Sequence, residues 1–216
     1  MESIVEAVIF DLDGVITDTA KYHYLAWKKI ADELEIYFDE PTNERLKGVD
    51  RMRSLEIVLE RFQRKFSDIE KHQWADKKNE YYKELIKTMT PREIAPGARK
   101  LLETLKENGI KIGLASVSKN AGTVIEKLQI GDFFDYMADA AKIKKGKPDP
   151  EIFLTVAENL KIKASHCIGV EDAVAGIAAI KAAGMFAVGI GDPGILKEAD
   201  EVIPGLEKFN LGRIKI

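Results

Sequence analysis

Four carboxylates follow two of the apolar runs in this 216-residue chain, and their spacing suits phosphate and metal chemistry. Asp11 and Asp13 lie two residues apart after the first run, and a strand places such residues on the same side. Glu171 and Asp172 are adjacent after a later run. Gathered carboxylates repel one another and raise some of their pKa values, and a hard divalent cation such as Mg²⁺ removes that conflict. The four together predict a magnesium site, whereas Asp172 alone would also suit a helix cap.

A carboxylate at such a site can attack phosphorus and form an acyl phosphate. Because the phosphoryl group is itself anionic, the site must supply positive charge and hydrogen-bond donors around an in-line displacement. Lys147 is the candidate cation, since Pro148 follows it and stiffens its backbone. Ser116, after another apolar run, is the candidate hydroxyl donor. Lys144 and Lys145 are better explained as a solvated basic loop.

A parallel sheet would bring these residues together at one edge. The apolar runs predict buried strands over 5–12, 110–115, 167–170 and 186–190. Helical patterns alternate with them over 98–107, 150–160 and 172–183, and Asp149 is a plausible N-cap for the second. This alternation is typical of a doubly wound α/β core, in which ligands bind beyond the carboxyl ends of the strands.

Between the first strand and residue 91 the strand-like runs disappear. Charged amphipathic segments over 22–34, 52–62 and 68–87 predict helices instead. This stretch is too long for an ordinary strand-to-helix connection, so we expect an inserted helical cap. The predicted domains are an α/β core over 1–16 and 92–216 and a cap over 17–91.

The composition sets limits on the partners and the compartment. Lys plus Arg is 33 and Asp plus Glu is 36, so the net charge of -3 does not suggest a nucleic-acid or acidic-lipid partner. Cys167 is the only cysteine, which excludes an intramolecular disulfide. The N-terminus has no signal-peptide pattern, and the apolar stretch 173–191 is interrupted by Lys181 and favours a buried helix and strand over a membrane span. We expect a cytoplasmic monomer that acts on small molecules.

The four motifs resemble, in order and context, those of the haloacid dehalogenase superfamily. They are Phe10-Asp11-Leu12-Asp13-Gly14-Val15, Ala115-Ser116, Gly146-Lys147-Pro148 and Gly169-Val170-Glu171-Asp172. The resemblance covers essentially the whole chain. It implies that Asp11 is the nucleophile and Asp13 the general acid and base. It also implies a Mg²⁺ cofactor held by Asp11, the backbone carbonyl of Asp13, Glu171 and Asp172.

The first motif and the cap resemble the β-phosphoglucomutase family in more detail. The resemblance implies catalytic roles for Thr19, for His23, which would position Asp13 when the cap closes, and for Lys78, which would assist His23. His23 and Trp27 share one helix face. Taken in isolation, a histidine beside an aromatic residue is more often core packing, and Lys78 suits a solvated helix face.

A second phosphate site is implied by the same resemblance. Arg51 would clamp the second phosphate, since its planar fork suits phosphate oxygens, although a surface ion pair is the alternative for arginines in this segment. The further substrate-binding residues implied are Trp27, Lys47, Gly48, Val49, Asn79, Ser116, Val117, Ser118, Lys119, Asn120 and Lys147. Two positions depart from the family pattern. Ala173 stands where a serine is common, and Val117 stands where a smaller residue is common.

The resemblance implies a phosphosugar mutase that interconverts β-D-glucose 1-phosphate and glucose 6-phosphate through an aspartyl-phosphate and β-glucose 1,6-bisphosphate. A mutase must exclude water and hold a bisphosphate in two orientations, so it needs two phosphate sites. The nearest alternative is a sugar-phosphate phosphatase on the same fold, because the core motifs alone do not separate the two. A catalytically inactive binding protein is a third reading, but it would not need Asp11, Asp13 and Lys147 together.

Overall fold

The computed structural model describes residues 5–46, 49, 51–62 and 64–213. The chain divides into two compact units. Met1–Asp18 and Thr90–Ile216 form the sheet unit, and Thr19–Met89 form the helical unit. These bounds lie two residues inside each end of the predicted cap, 17–91.

Within the described residues, six strands form one parallel sheet. They are β1 (Ala7–Phe10), β2 (Lys111–Leu114), β3 (Tyr136–Met137), β4 (Cys167–Glu171), β5 (Phe186–Ile190) and β6 (Glu201–Ile203). Their order across the sheet is β3-β2-β1-β4-β5-β6. Phe10 pairs with Leu114 on one side and with Val170 on the other, so β1, β2 and β4 end at the same edge.

The described helices fall into two groups. The helical unit contains α1 (Ala20–Glu33), α2 (Glu40–Glu44), α3 (Arg51–Leu59) and α4 (Asp68–Ile86). The sheet unit contains α5 (Ala98–Glu107), α6 (Ala121–Leu128), α7 (Glu151–Leu160) and α8 (Val174–Ala182). The α/β class and the four predicted strands are confirmed. The short elements α2, α6, β3 and β6 were not predicted.

Two details of the predicted helix starts are wrong. The N-cap of α7 is Pro150, and the Asp149 carboxylate instead accepts a hydrogen bond from the Glu151 main-chain N–H at 3.0 Å. The helix predicted from 172 begins at Val174, because β4 continues through Glu171 and Ala173 takes the N-cap position.

Each unit has its own apolar core. In the sheet unit, β1 and β4 are buried on both faces, and Ile9 packs with Phe153 of α7 and Ile180 of α8. In the helical unit, Trp27 and Leu55 belong to one buried cluster that joins α1, α3 and α4. Burial of a large side chain contributes about 1.5–3 kcal/mol, so each core helps to hold its own unit together.

The segments at the edge of the sheet unit are tied to one another. The Thr17 hydroxyl donates to the Glu93 carbonyl at 2.7 Å, and the Ala95 N–H donates to the Ile16 carbonyl at 2.9 Å. The same Thr17 accepts a hydrogen bond from the Gly14 N–H through its carbonyl at 2.8 Å. The loop that carries Asp13 is therefore braced by the segment that returns from the helical unit.

The structure also describes the cysteine of the chain and the character of the helices. Cys167 is buried, and burial together with the charge of Glu6 raises the pKa of its thiol to about 12, which makes it a poor nucleophile. None of the described helices combines the length and the apolar character needed to cross a membrane.

Candidate active site

Asp11 and Lys147 form the centre of the site in the sheet unit. Asp11 directly follows β1, and its main-chain N–H donates to the Val170 carbonyl at 2.9 Å, which fixes it against β4. The Lys147 ammonium donates at 2.6 Å to the Asp11 carboxylate and at 2.6 Å to the Glu171 carboxylate. All three side chains are almost inaccessible to solvent, at 5%, 9% and 3% exposed. The lysine thus joins two motifs that lie far apart in the sequence.

The surroundings in this centre shift the pKa values of Asp11 and Lys147. Burial raises the pKa of Asp11 well above its usual range, and the negative charges of Glu171 and Asp13 add to the effect of burial against the opposing charge of Lys147. For Lys147, burial lowers the pKa, but the two carboxylates outweigh it and the pKa is raised. The lysine is therefore held charged, while the carboxylates around it carry more negative charge than one ammonium can balance.

Asp172 lies against the loop that carries Asp13. Gly14 has a φ of +81°, and a Cβ built there would come within 2.0 Å of the Asp172 carboxylate. Burial raises the pKa of Asp172 to about 7, with further contributions from the charges of Glu171 and Asp13. The glycine between the two motifs is thus required both by its backbone conformation and by the close approach of Asp172.

These residues fit the predicted Mg²⁺ by their chemistry. Within the described part of the chain, no three acidic, imidazole or thiol groups are already grouped as a metal cage. The Lys147 ammonium instead lies between two of the predicted ligands. However, burial raises the pKa values of Asp11 and Asp172, and neighbouring carboxylates raise them further, so these oxygen donors are of the kind that a hard divalent cation prefers and would hold in the charged form.

Glu171 is positioned by main-chain groups. Its second carboxylate oxygen accepts a hydrogen bond from the Ala173 N–H at 2.8 Å. A Cβ at Gly176 would come within 2.0 Å of the same side chain, so α8 can start beside Glu171 only because a glycine stands there. The departure at Ala173 does not affect this bond, because the donor is the backbone.

The loop from β2 to α6 holds the predicted hydroxyl donors. Ser116 is buried, and its oxygen accepts a hydrogen bond from the Ser118 N–H at 3.2 Å. The Ser118 hydroxyl in turn accepts one from the Asn120 N–H at 3.3 Å. Asn120 is buried, whereas the Val117 and Lys119 side chains are exposed. The loop therefore keeps one serine at the sheet edge and presents a lysine to solvent.

The helical unit contains a separate cluster around His23 on α1. Lys78 of α4 is 4% exposed, and its ammonium lies 2.7 Å from the His23 Nδ1. The same ammonium lies 5.0 Å from the centroid of the Trp27 ring and 4.9 Å from that of Tyr82. The Tyr82 ring also packs on His23, with 4.2 Å between the centroids. Tyr82 was not predicted, although its spacing of four from Lys78 puts both on one helix face.

His23 is a neutral imidazole that accepts a hydrogen bond from Lys78 in this cluster. Burial lowers its pKa well below the usual value, and the charges of Lys78 and Arg51 lower it further. Because an ammonium can only donate, Nδ1 must accept, and the imidazole proton then lies on Nε2. Burial, with the charges of Lys78 and Arg51, therefore keeps the histidine neutral, and the lysine sets its tautomer.

Arg51, at the start of α3, lies beside α4. Its guanidinium donates to the Asn79 side-chain oxygen at 2.9 Å and lies 3.7 Å from the Asp76 carboxylate. Burial lowers the pKa of Arg51, and the charges of Asp76 and Glu80 oppose that change. The arginine keeps its charge in a half-buried position.

For the remaining predicted residues, the structure gives at most the burial and the position in an element. Thr19 is buried at the N-cap of α1, without a side-chain bond to that helix end. Val49 is exposed. Lys47 and Gly48 lie outside the described residues.

The comparisons with known proteins decide the family. A family model of haloacid dehalogenase-like hydrolases matches residues 5–184. The beta-phosphoglucomutase of Bacillus subtilis (strain 168) is 50% identical over 92% of this chain and 88% of its own length. This chain belongs to the β-phosphoglucomutase family. The phosphorylated carbohydrates phosphatase of Thermotoga maritima is 33% identical over 83% of this chain and 82% of its own length.

The solved structures agree with this membership of the β-phosphoglucomutase family. A beta-phosphoglucomutase from Clostridium difficile superposes with a TM-score of 0.92 and 50% identity, over 97% of this chain and 95% of that chain. The predicted superfamily, the enzyme class and the Mg²⁺ cofactor are those of the family. Sugar phosphates are substrates that fit an enzyme of this family.

Proposed function

We propose that this enzyme interconverts β-D-glucose 1-phosphate and glucose 6-phosphate, with Asp11 as the phosphoryl carrier. The observation that carries the proposal is the second set of cationic groups, in the helical unit. Lys78 is buried beside His23, and Arg51 lies close enough to lower the pKa of the same histidine. A phosphatase needs one phosphate site, whereas a mutase that uses a bisphosphate needs two.

Asp11 is the nucleophile in this proposal. Its carboxylate oxygen forms the new bond to phosphorus while the bond from phosphorus to the sugar oxygen breaks. The Lys147 ammonium, 2.6 Å from that carboxylate, supplies positive charge at the place where negative charge gathers in the displacement. The buried Ser116 hydroxyl is a donor to the transferring group.

Asp13 moves the proton in both half-reactions. When phosphoryl-Asp11 donates to the sugar hydroxyl, the carboxylate of Asp13 takes the hydroxyl proton. In the return step Asp13 gives a proton to the departing sugar oxygen. The hydrogen bond from Gly14 to the Thr17 carbonyl braces the loop on which Asp13 lies.

Mg²⁺ would be held by Asp11, the backbone carbonyl of Asp13, Glu171 and Asp172. When bound, the ion supplies positive charge to the phosphoryl oxygens and offsets the repulsion among these carboxylates. That repulsion is visible in the pKa of Asp172, which burial, Glu171 and Asp13 raise to about 7.

The second phosphate of the bisphosphate would be bound by Arg51 together with Ser118, Lys119 and Asn120. His23, neutral and protonated on Nε2, would serve as a hydrogen-bond donor in the catalytic role that the family pattern gives it. On the strength of the family pattern, Thr19 remains a proposed catalytic residue, and the proposed substrate-binding residues include Trp27, Lys47, Gly48 and Val49.

A coupled assay tests the function. The purified enzyme is given β-glucose 1-phosphate, Mg²⁺ and a trace of glucose 1,6-bisphosphate, and both glucose 6-phosphate and free phosphate are followed. We expect glucose 6-phosphate that depends on the bisphosphate, with little phosphate release. Phosphate release without isomerisation would contradict the mutase and identify a phosphatase.

The second candidate is a sugar-phosphate phosphatase. It is favoured by the phosphatase from Thermotoga maritima, which is 33% identical to this chain. The identity to the Bacillus subtilis mutase is higher, at 50%. Magnesium-dependent formation of a beryllium fluoride adduct on Asp11 would establish an active carrier in either case, and would exclude an inactive binding protein.

The proposal extends to the partners and compartment. We infer that the enzyme works as a cytoplasmic monomer on hexose phosphates, without nucleic-acid or membrane partners. The nearly balanced charge of the chain supports the absence of a polyanionic partner. Light scattering at assay concentration tests the monomer.

A further inference from the structure

Asn79 holds Arg51 through a group that carries no charge. The Asn79 side-chain oxygen accepts a hydrogen bond from the Arg51 Nη2 at 2.9 Å. Other arginines of the helical unit bond directly to carboxylates. Arg45 lies 2.7 Å from Glu60, and Arg53 lies 3.0 Å from Glu56. Arg51 therefore differs in having its bonding fixed by an amide.

Two acidic groups, Asp76 and Glu80, act on Arg51 through their charges, and Asp76 lies within ion-pair distance of it. The Asp76 carboxylate lies 3.7 Å from the Arg51 Nη1, beyond ordinary hydrogen-bond length, and its side chain is 79% exposed. Asp76, Asn79 and Glu80 are at positions i, i+3 and i+4 of α4, so they share the helix face that meets Arg51. The amide lies in the middle of this face, where a carboxylate would neutralise the guanidinium.

The Asn79 amide orients the Arg51 guanidinium without neutralising its charge. A guanidinium on a long side chain loses rotamer freedom when it binds phosphate, and a pre-existing bond reduces that loss. A carboxylate in the place of Asn79 would orient it equally well but would compete with the phosphate. The amide orients the fork and leaves its charge for the ligand.

We propose that Asn79 is a positioning residue that orients Arg51 for the second phosphate, and that Asp76 is the anion with which this phosphate competes. The inference rests on the proposed function, because the phosphate concerned belongs to the sugar bisphosphate. It changes the predicted role of Asn79, which acts through Arg51 and not as a direct phosphate ligand.

Three variants and one control variant test, by steady-state kinetics with the full-length enzyme, whether an uncharged group at position 79 leaves the Arg51 charge available to the phosphate. Asn79→Asp keeps the shape and adds a charge, and we expect its KM for β-glucose 1-phosphate and for the bisphosphate primer to rise about tenfold or more. Asn79→Ala loses only the orientation, so its KM should rise less. Asp76→Asn should lower the KM about two- to threefold at low ionic strength, and this gain should vanish at high salt.

The matched control is Glu56→Gln, which alters a carboxylate paired with Arg53 on the same helix as Arg51. Its KM should not change. Hydrolysis of a small aryl phosphate, which has no second phosphate, should likewise be unchanged in Glu56→Gln. Equal KM values for Asn79→Asp and Asn79→Ala would overturn the charge argument, as would a raised KM for Asp76→Asn.

A measurement on the free protein separates this inference from the proposed function. In the nitrogen NMR spectrum of labelled arginine, a guanidinium held at Nη2 rotates slowly and gives separate Nη signals. We expect separate signals for Arg51 in the wild type and averaged ones in Asn79→Ala. Unchanged signals would overturn the inference even if the mutase is confirmed. A wild type that fails to isomerise β-glucose 1-phosphate but shows this difference would contradict the proposed function alone.

Discussion

One buried lysine of this protein is enclosed by carboxylates, and another lies among aromatic rings beside a histidine. In the sheet unit, Lys147 lies 2.6 Å from both Asp11 and Glu171, and its pKa is raised because the two carboxylates outweigh burial. In the helical unit, Lys78 lies 2.7 Å from the His23 Nδ1 and near the rings of Trp27 and Tyr82.

The two lysines affect their neighbours in opposite ways. Lys147 favours the charged form of the carboxylates, although burial still raises the pKa of Asp11. Lys78 disfavours the charged form of His23, and burial acts in the same direction. The first environment suits a group that must carry a phosphoryl group between anions. The second suits a neutral donor beside an anionic substrate.

The largest effect is expected from Asp11→Asn. The amide removes the attacking oxygen anion, so we expect at least about a 10³-fold loss of kcat for both isomerisation and aryl phosphate hydrolysis. Asp132→Asn, on an exposed turn of the same unit, is the control and should retain full activity. Substantial mutase activity in Asp11→Asn would mean that another residue carries the phosphate.

Lys147→Met tests the carboxylate environment directly. Removal of the ammonium leaves Asp11 and Glu171 buried without their counter-charge, so we expect a loss of about 3 kcal/mol of stability in metal-free urea unfolding. Activity should fall about 10²–10³-fold, because a cation is removed from the transferring phosphate. Lys145→Met, in the same segment but exposed, should change neither quantity. A full loss of activity with unchanged stability would make the lysine purely catalytic.

Arg51→Ala tests whether the helical unit supplies a residue that serves only the second phosphate. Mutase turnover should fall about 10²-fold, since a guanidinium bound to phosphate contributes a few kcal/mol, while hydrolysis of a small aryl phosphate should change little. Arg53→Ala removes an arginine from the same helix and serves as the control. Equal losses in both reactions would show that Arg51 does not serve a second phosphate.

Lys78→Met should move the pKa of His23 upward, because one of the two positive neighbours is lost while burial remains. The shift is read from the His23 ring signals in an NMR pH titration. The ring signals of His72, which is exposed on α4, are the control and should not differ between the two proteins. A His23 pKa unchanged by the substitution would show that burial and Arg51 keep the imidazole neutral without Lys78.

The smallest expected effect is the contribution of His23 to the pH dependence of the free energy of unfolding. Its pKa is lowered in the folded state, so the unfolded state takes up a proton first as the pH falls below about 6.5. His23 therefore contributes a loss of stability on the acid side, on the order of 1 kcal/mol per pH unit at most. Replacing Lys78 should reduce this acid-side slope, measured by urea unfolding between pH 7 and 5.

Much of the sheet unit could be predicted from local patterns. The continuous apolar runs that became β1, β2, β4 and β5 show themselves in the sequence because each strand is buried on both faces. The edge strand β3 has only two residues and is partly exposed, and β6 has three. Strands so short give no periodic signal, so the sheet edges were missed for a physical reason.

The sequence by itself predicted which residues would carry the chemistry and determined in what order they meet the sheet edge. Asp11, Asp13, Ser116 and Glu171 follow apolar runs, and parallel strands end together. Only the tertiary structure decided that Lys147 bonds to a carboxylate 136 positions away, and that the expected partners Lys78 and His23, 55 positions apart, are in hydrogen-bond contact. Periodicity reports the face that a residue takes in its own element. The partner across the core depends on how separate elements pack, and no local pattern contains that information.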